Sequence, residues 1–181
     1  MGYDRYPPTL REFSVAYLPL EREDAERGPL CRQIFGPNLH EVEKPEDLNT
    51  SSKRWFELFF KPVFKEEELY FAANWADVRD VATAHVTALE KEEAADERIL
   101  IAAGAVANQE FIEAAKRAAV SLRIKGVQNG ITNYDPAQVK LHVNYNPEKR
   151  ERLLGIKITS VDDSVRDAMA NFKERGWVEA Y

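Results

Sequence analysis

Few residues in this chain have the type and spacing to do chemistry. Its three histidines, His40, His85 and His142, lie far apart, and none stands in a ligand spacing such as His-Glu-x-x-His. The single Cys31 excludes an intrachain disulfide and leaves any metal site without its commonest ligand cluster, which fits a reducing cytosol. Metal catalysis is not expected. Two clusters remain. Asp77, Arg79 and Asp80 set two carboxylates around a guanidinium, which could touch a ligand but more commonly ties a strand end to a helix start. Asn49, Thr50 and Ser51 precede Trp55, Phe56, Leu58, Phe59 and Phe60, a capped helix start whose aromatic face must be buried or must line a pocket.

The elements that position these groups can be read from periodicity. The run "ELYFAANWA" is aromatic enough for a short strand, and it feeds "DVRDVATAHVTALE" through an Asp-rich turn. In that helix Val78, Val81, Ala82, His85, Ala88 and Leu89 recur at three- and four-residue steps, the spacing of a buried face. His85 then reads as a satisfied core histidine rather than a general acid. Upstream, "RQIF" (32–35) suits a short strand that stops at Gly36-Pro37. Downstream, "RILIAAG" (98–104) suits a strand and "NQEFIEAAKRAAV" (108–120) an N-capped amphipathic helix. The turn formers Gly126, Asn129-Gly130 and Asp135-Pro136 suggest a mobile loop, followed by a strand over 139–143. Pro147 and Gly155 bracket one further helix, and Ser160 with Asp163 caps the last, which carries Val161, Val165, Ala168, Met169 and Phe172 on one face. The alternation of strands and helices implies an α/β domain.

The whole is 181 residues with a net charge of -6, long enough for one well-cored domain and too acidic to favour nucleic acid. No apolar run is long enough to cross a bilayer, and the N-terminus lacks the pattern of a signal peptide, so a cytoplasmic protein with no membrane or nucleic-acid partner is expected. The acidic runs at 65–68 and 90–98 read as solvated helix ends.

The order of motifs resembles the C-terminal, substrate-side half of an extended short-chain dehydrogenase/reductase, in the NAD-dependent epimerase/dehydratase superfamily. The likeness is to the dihydroflavonol-reductase-like carbonyl reductases of fungi and plants. It is carried by "IFGPNLHEV" (34–42), "LNTSS" (48–52), "WADVRDVATAHVTALE" (75–90), "RILIAAG" and "NPEKRERLLGIKITSVDDSV" (146–165). The resemblance implies a partial NAD(P)-binding Rossmann-type fold, with C-terminal strands plus a helical substrate-binding region over 34–181, behind a divergent segment over 1–33. It implies a reductase that moves a hydride from NADP or NAD to a small-molecule carbonyl substrate. Asn49, Thr50, Ser51, Trp55 and Phe59 would grip that substrate, and Gly36 and Pro37 would border the pocket mouth.

The family's cofactor turn is missing, because the eight glycines form no G-x-G-x-x-G. No catalytic residue can be assigned. "YNPEK" (145–149) has the letters of the family's Tyr-x-x-x-Lys pair, but it lies downstream of "DVRD", and Pro147 marks a helix start that leaves Tyr145 outside the helix. Cys31, Arg32 and Gln33 also replace the region where the family has a proline against the nicotinamide. The expectation is a chain that does not bind the cofactor alone, with the novel N-terminus substituting for missing strands or the chain being a truncated product. A non-catalytic remnant that pairs with a full-length relative is the alternative, and an unrelated small α/β binding module the third.

Overall fold

The computed structural model describes residues 14–15, 33–141 and 145–180. Expectations about Cys31, Arg32, His142 and most of the segment 1–33 lie outside the described residues. The strands are β1 (Ser14–Val15), β2 (Ile34–Phe35), β3 (Phe71–Asp77), β4 (Arg98–Ile99), β5 (Gly104–Ala107) and β6 (Lys140–Leu141). The helices are α1 (Thr50–Phe60), α2 (Glu66–Leu69), α3 (Val78–Glu90), α4 (Asn108–Leu122), α5 (Glu148–Leu153) and α6 (Val161–Glu174).

The strand β3 is the hub. It is buried along almost its whole length, it pairs in parallel with β2 and β6, and it pairs antiparallel with β5. A second, two-stranded sheet joins β1 to β4 in parallel, with Ser14 opposite Arg98. The main core lies where α1, α4 and α6 cover the sheet, and the α4–α6 contact is the most extensive between helices. There Phe35 stacks on Trp55 at 4.3 Å between ring centroids, and Phe111 meets both edge-on. Such geometry adds roughly 0.5–1.5 kcal/mol per pair beyond area burial. A smaller cluster, Ala84, Ala88, Ala94, Ile99, Leu153 and Leu154, packs α3 and α5 on β4.

Two expectations are corrected. The helix α3 turns Asp80, Ala84 and Ala88 inward, while His85 is exposed with its Nδ1 against the Val81 carbonyl at 2.7 Å. Val78 and Leu89, expected in the core, are 40% and 70% exposed. The physical reason is that the small side chains of Ala84 and Ala88 let the helix sit close to Ile99, and Asp80 has its partner on the same side. Second, the turn-rich segment after α4 is anchored rather than mobile. Gln128 N–H donates to the Phe59 carbonyl at 2.9 Å, Lys116 Nζ to the Asn129 carbonyl at 3.2 Å, and Ile131 N–H to Gln109 Oε1 at 2.8 Å. Gln109 itself is fully buried.

That anchoring yields a prediction. Gly130 has φ +66, and a Cβ there would lie 2.3 Å from Gln109 Oε1. Gly130→Ala must strain the turn and break the buried amide's bond to Ile131, at a cost of about 2 kcal/mol. Thermal unfolding should show a fall of roughly 4–8 °C, and an unchanged midpoint would mean that the Gln109 anchor is dispensable.

Candidate functional site

The joint between β3 and α3 is the most heavily bonded polar centre. Asp77 closes the strand and caps the helix, and its side chain is fully buried. Oδ1 accepts from Arg79 N–H and Arg79 Nε, both at 2.8 Å. Oδ2 accepts from Arg79 Nη2 at 2.8 Å and from the Ser164 hydroxyl at 2.5 Å. Arg79 Nη1 continues to Asp167 Oδ2 at 2.7 Å. One turn on, Asp80 accepts Thr159 N–H at 2.9 Å and Thr159 Oγ1–H at 2.7 Å. The partners outside the motif, Thr159, Ser164 and Asp167, lie in α6 or its entry, so a four-residue stretch of the sequence fastens a helix about eighty residues downstream. Burial by itself would raise the Asp77 carboxyl, but the hydrogen bonds from Arg79 and Ser164 outweigh it and hold the group below the usual carboxylate range. Asp77 raises the Arg79 guanidinium in return. Four donors fill the acceptor capacity of a carboxylate, so Asp77 has no lone pair left for a ligand and the joint works by positioning.

The substrate-side candidates do not converge on one pocket. Gly36 is buried at φ +134 against the joint, where a Cβ would lie 2.8 Å from Val78 Cγ1 and 3.3 Å from Asp77 Oδ2. Trp55 and Phe59 are 1% and 0% exposed. They are sealed in the core rather than facing a ligand, because Phe35, Phe111 and Trp75 close over Trp55, and Phe59 packs between Trp55 and Phe60. Asn49 caps α1, its Oδ1 accepting Ser52 N–H at 3.0 Å and the Ser51 hydroxyl at 3.1 Å. Of the seven candidates only Thr50 lines a cavity of about 580 Å³, with Leu48, Lys53, Arg54, Glu57, Val63, Phe64 and Glu68. Gly36 and Pro37 do not border it.

The residues missed at this cavity sit on the polar flank of the same helix whose aromatic face drew attention. Lys53, Arg54 and Glu57 follow Thr50 at helical spacing, and the Arg54 guanidinium lies 4.8 Å from the Phe64 ring centroid. Thr50, Lys53 and Arg54 offer donors to this cavity, and Glu57 and Glu68 offer acceptors. Lys149, of the Tyr-x-x-x-Lys look-alike, is ion-paired with Glu97, and Tyr145 precedes the helix that begins at Glu148. Among the described residues no cluster of His, Cys, Asp or Glu could hold a metal, and no helix is long and apolar enough to cross a membrane.

A dinucleotide needs a glycine turn that brings backbone N–H groups at a helix N-terminus against its pyrophosphate. Among the described residues, the two helices that follow directly on a strand, α3 after β3 and α4 after β5, do not offer one. The N-terminus of α3 is occupied by the Asp77 carboxylate, and that of α4 by Glu110, whose carboxylate accepts Ala107 N–H at 2.8 Å. Both turns lack glycine and both present negative charge where a phosphate would go.

Parallel pairing of β2 with β3, a helix leaving the carboxyl end of β3, and a helical lobe beside it define the class as part of a Rossmann-type α/β fold. No protein-family model matches the chain. It is 30% identical over 142 residues to a putative NADPH-dependent methylglyoxal reductase of Candida albicans, a match that covers 76% of this chain and 40% of the relative. The NADPH-dependent methylglyoxal reductase of Saccharomyces cerevisiae is 25% identical over 135 residues, 74% of this chain and 39% of that protein. Among solved structures, Gre2 from Candida albicans superposes with a TM-score of 0.64 at 26% identity, over 79% of this chain and 42% of that one. The same protein in complex with NADPH gives a TM-score of 0.62 at 28% identity, over 78% and 41%. The relatives are NADPH-dependent reductases of the short-chain dehydrogenase/reductase type, and this chain is homologous to a part of them. It spans about 40% of the length of the curated relatives it matches.

Proposed function

We propose that this chain supplies the substrate side of an NADPH-dependent carbonyl reductase and works with a cofactor-binding part that the described residues do not contain. One coincidence carries the reading: the match to carbonyl reductases covers most of this chain and less than half of the relatives, and what the described residues lack is the phosphate cradle. The β3–α3 joint holds α6, and the cavity beside α1 takes the carbonyl compound. Thr50, Lys53 and Arg54 face it as donors, and Asn49, held by the Ser51 hydroxyl, caps the helix that carries them. A small ketoaldehyde of the methylglyoxal type is the substrate class, and the cytoplasm, suited to a lone thiol, the setting. The family's Tyr and Lys would come with the cofactor part.

Two measurements test this. Calorimetry on the 181-residue chain should give no saturable NADPH binding at micromolar concentration, since the N-termini of α3 and α4 hold a carboxylate where a pyrophosphate would sit. Fusing the chain behind the cofactor part of the Candida albicans relative should restore methylglyoxal-dependent NADPH oxidation. An inert but folded fusion would overturn the reading, and so would tight cofactor binding by the chain alone.

A further inference from the structure

The charged groups that line the cavity beside α1 are not equally engaged. Two cations, Lys53 and Arg54, and two carboxylates, Glu57 and Glu68, face it. Each carboxylate has a partner of its own. Glu57 is ion-paired with Lys61 at 3.8 Å along the helix, and Glu68 Oε2 accepts Lys65 N–H at 2.9 Å where α2 begins. Lys53 Nζ donates to the Glu46 backbone carbonyl at 3.2 Å. Arg54 differs. Its half-buried guanidinium stands over the Phe64 ring, 4.8 Å from the centroid, and among the described residues no oxygen accepts from it. A guanidinium held over an aromatic face keeps its in-plane N–H groups, and their fork matches the two oxygens of a carboxylate. Leu48, Val63 and Phe64 supply the apolar part of the lining.

We infer that this cavity takes a 2-oxo acid, its carboxylate on Arg54 beside Thr50 and its hydrocarbon end against Leu48, Val63 and Phe64. The inference rests on the function proposed above and sharpens its substrate, with a carboxylate in place of the ketoaldehyde's second carbonyl. Charge selects this class. The four charged side chains sum to zero and only Arg54 is without an oxygen partner, so one negative charge is balanced, whereas a phosphate dianion would set excess charge against Glu57 and Glu68. Size agrees. A volume of about 580 Å³ falls within the ~300–1,000 Å³ of small-molecule sites, and a ketoaldehyde as small as methylglyoxal would leave most of it to water. Hydride transfer from NADPH to the ketone carbon, with a proton to its oxygen, gives NADP and the 2-hydroxy acid and leaves the carboxylate unchanged.

The test titrates the 181-residue chain by calorimetry with 4-methyl-2-oxopentanoate and with 4-methyl-2-pentanone, which has a methyl group where the acid has its carboxylate. The acid should bind about tenfold more tightly or better, the gain from a charge-assisted pair. Arg54→Met keeps the hydrocarbon stem and should erase that difference, and Arg54→Lys should restore part of it. Both variants should melt within about 2 °C of the parent, because the guanidinium makes no hydrogen bond that the fold needs. In the fusion, Arg54→Met should raise KM for the acid with little change in kcat, since the contact is made in ground and transition states alike. Acid binding no tighter than ketone binding, binding indifferent to Arg54→Met, or displacement by an equal concentration of inorganic phosphate would each overturn the inference and leave the function standing. So would a fusion that reduces methylglyoxal but not the acid. A folded fusion inert toward both compounds overturns the function and with it the acid's role as substrate, while Arg54-dependent binding to the chain alone would still report a carboxylate site.

Discussion

Asp77→Ala is expected to lower the stability of this chain by about 2–4 kcal/mol, the sum of a lost helix cap and of buried hydrogen bonds left without their acceptor. The loss has three parts. The N-cap of α3 goes, Arg79 keeps only Asp167, and the Ser164 hydroxyl, fully buried in α6, is left without its acceptor. For a chain of this size the thermal midpoint should fall by roughly 10 °C. Ser164→Ala removes a single bond to the same oxygen and should cost about 1–2 kcal/mol, so the pair of variants reports on the joint even if the first is too unstable to purify. The pH dependence has a definite sign. A carboxyl held below its ordinary value in the fold adds stability above the unfolded pKa of about 3.9, and that stability disappears as pH falls through the lower folded value. Acid unfolding of the parent below about pH 4 should therefore be steeper than that of Asp77→Ala. Equal midpoints and equal acid limbs in parent and variant would show that the Asp77 bonds add nothing to the hold on α6.

In the active fusion, replacing the tyrosine supplied by the cofactor part with Phe should cost two to four orders of magnitude in turnover, roughly the contribution of a general acid. Tyr145→Phe should leave turnover within about twofold, since a side chain outside the chemistry contributes nothing specific to the transition state. The contrast follows from position. A tyrosine can be acidified by a lysine only when the ammonium stands close to its oxygen, and here Lys149 Nζ is committed to Glu97. Tyr145 lies outside α5, so the two do not share a helical turn. A hundredfold loss in Tyr145→Phe, with the other tyrosine dispensable, would make "YNPEK" a working pair and would displace this chain from the substrate side of its family.

What the sequence determined by itself was whatever local chemistry decides. Helix ends are set within a few residues by caps and punctuation, so Ser160, Pro147 and Gly155 mark α5 and α6 directly, and Asp77 marks the start of α3. Even there the cap of α1 is Asn49 rather than Thr50 or Ser51, and Asn108 lies inside α4 with its amide donating to the Glu68 carbonyl at 2.7 Å. The aromatic face of α1 was legible as a face, but whether it lined a pocket or filled the core depended on which rings arrived from β2, β3 and α4. Periodicity on α3 favoured one face, Val78, Val81, Ala82, His85, Ala88 and Leu89, over a second line that shares only Ala88 with it, Asp80, Ala84 and Ala88. Tertiary structure chose the second, because small side chains admit Ile99 at close range and Asp80 finds Thr159 there. Burial is a property of the neighbour as well as of the residue. For the same reason the pairing of Ser14 with Arg98, the Asp77–Ser164 bond and the packing of Gly130 on Gln109 left no local trace, since each joins segments whose approach only the completed fold brings about.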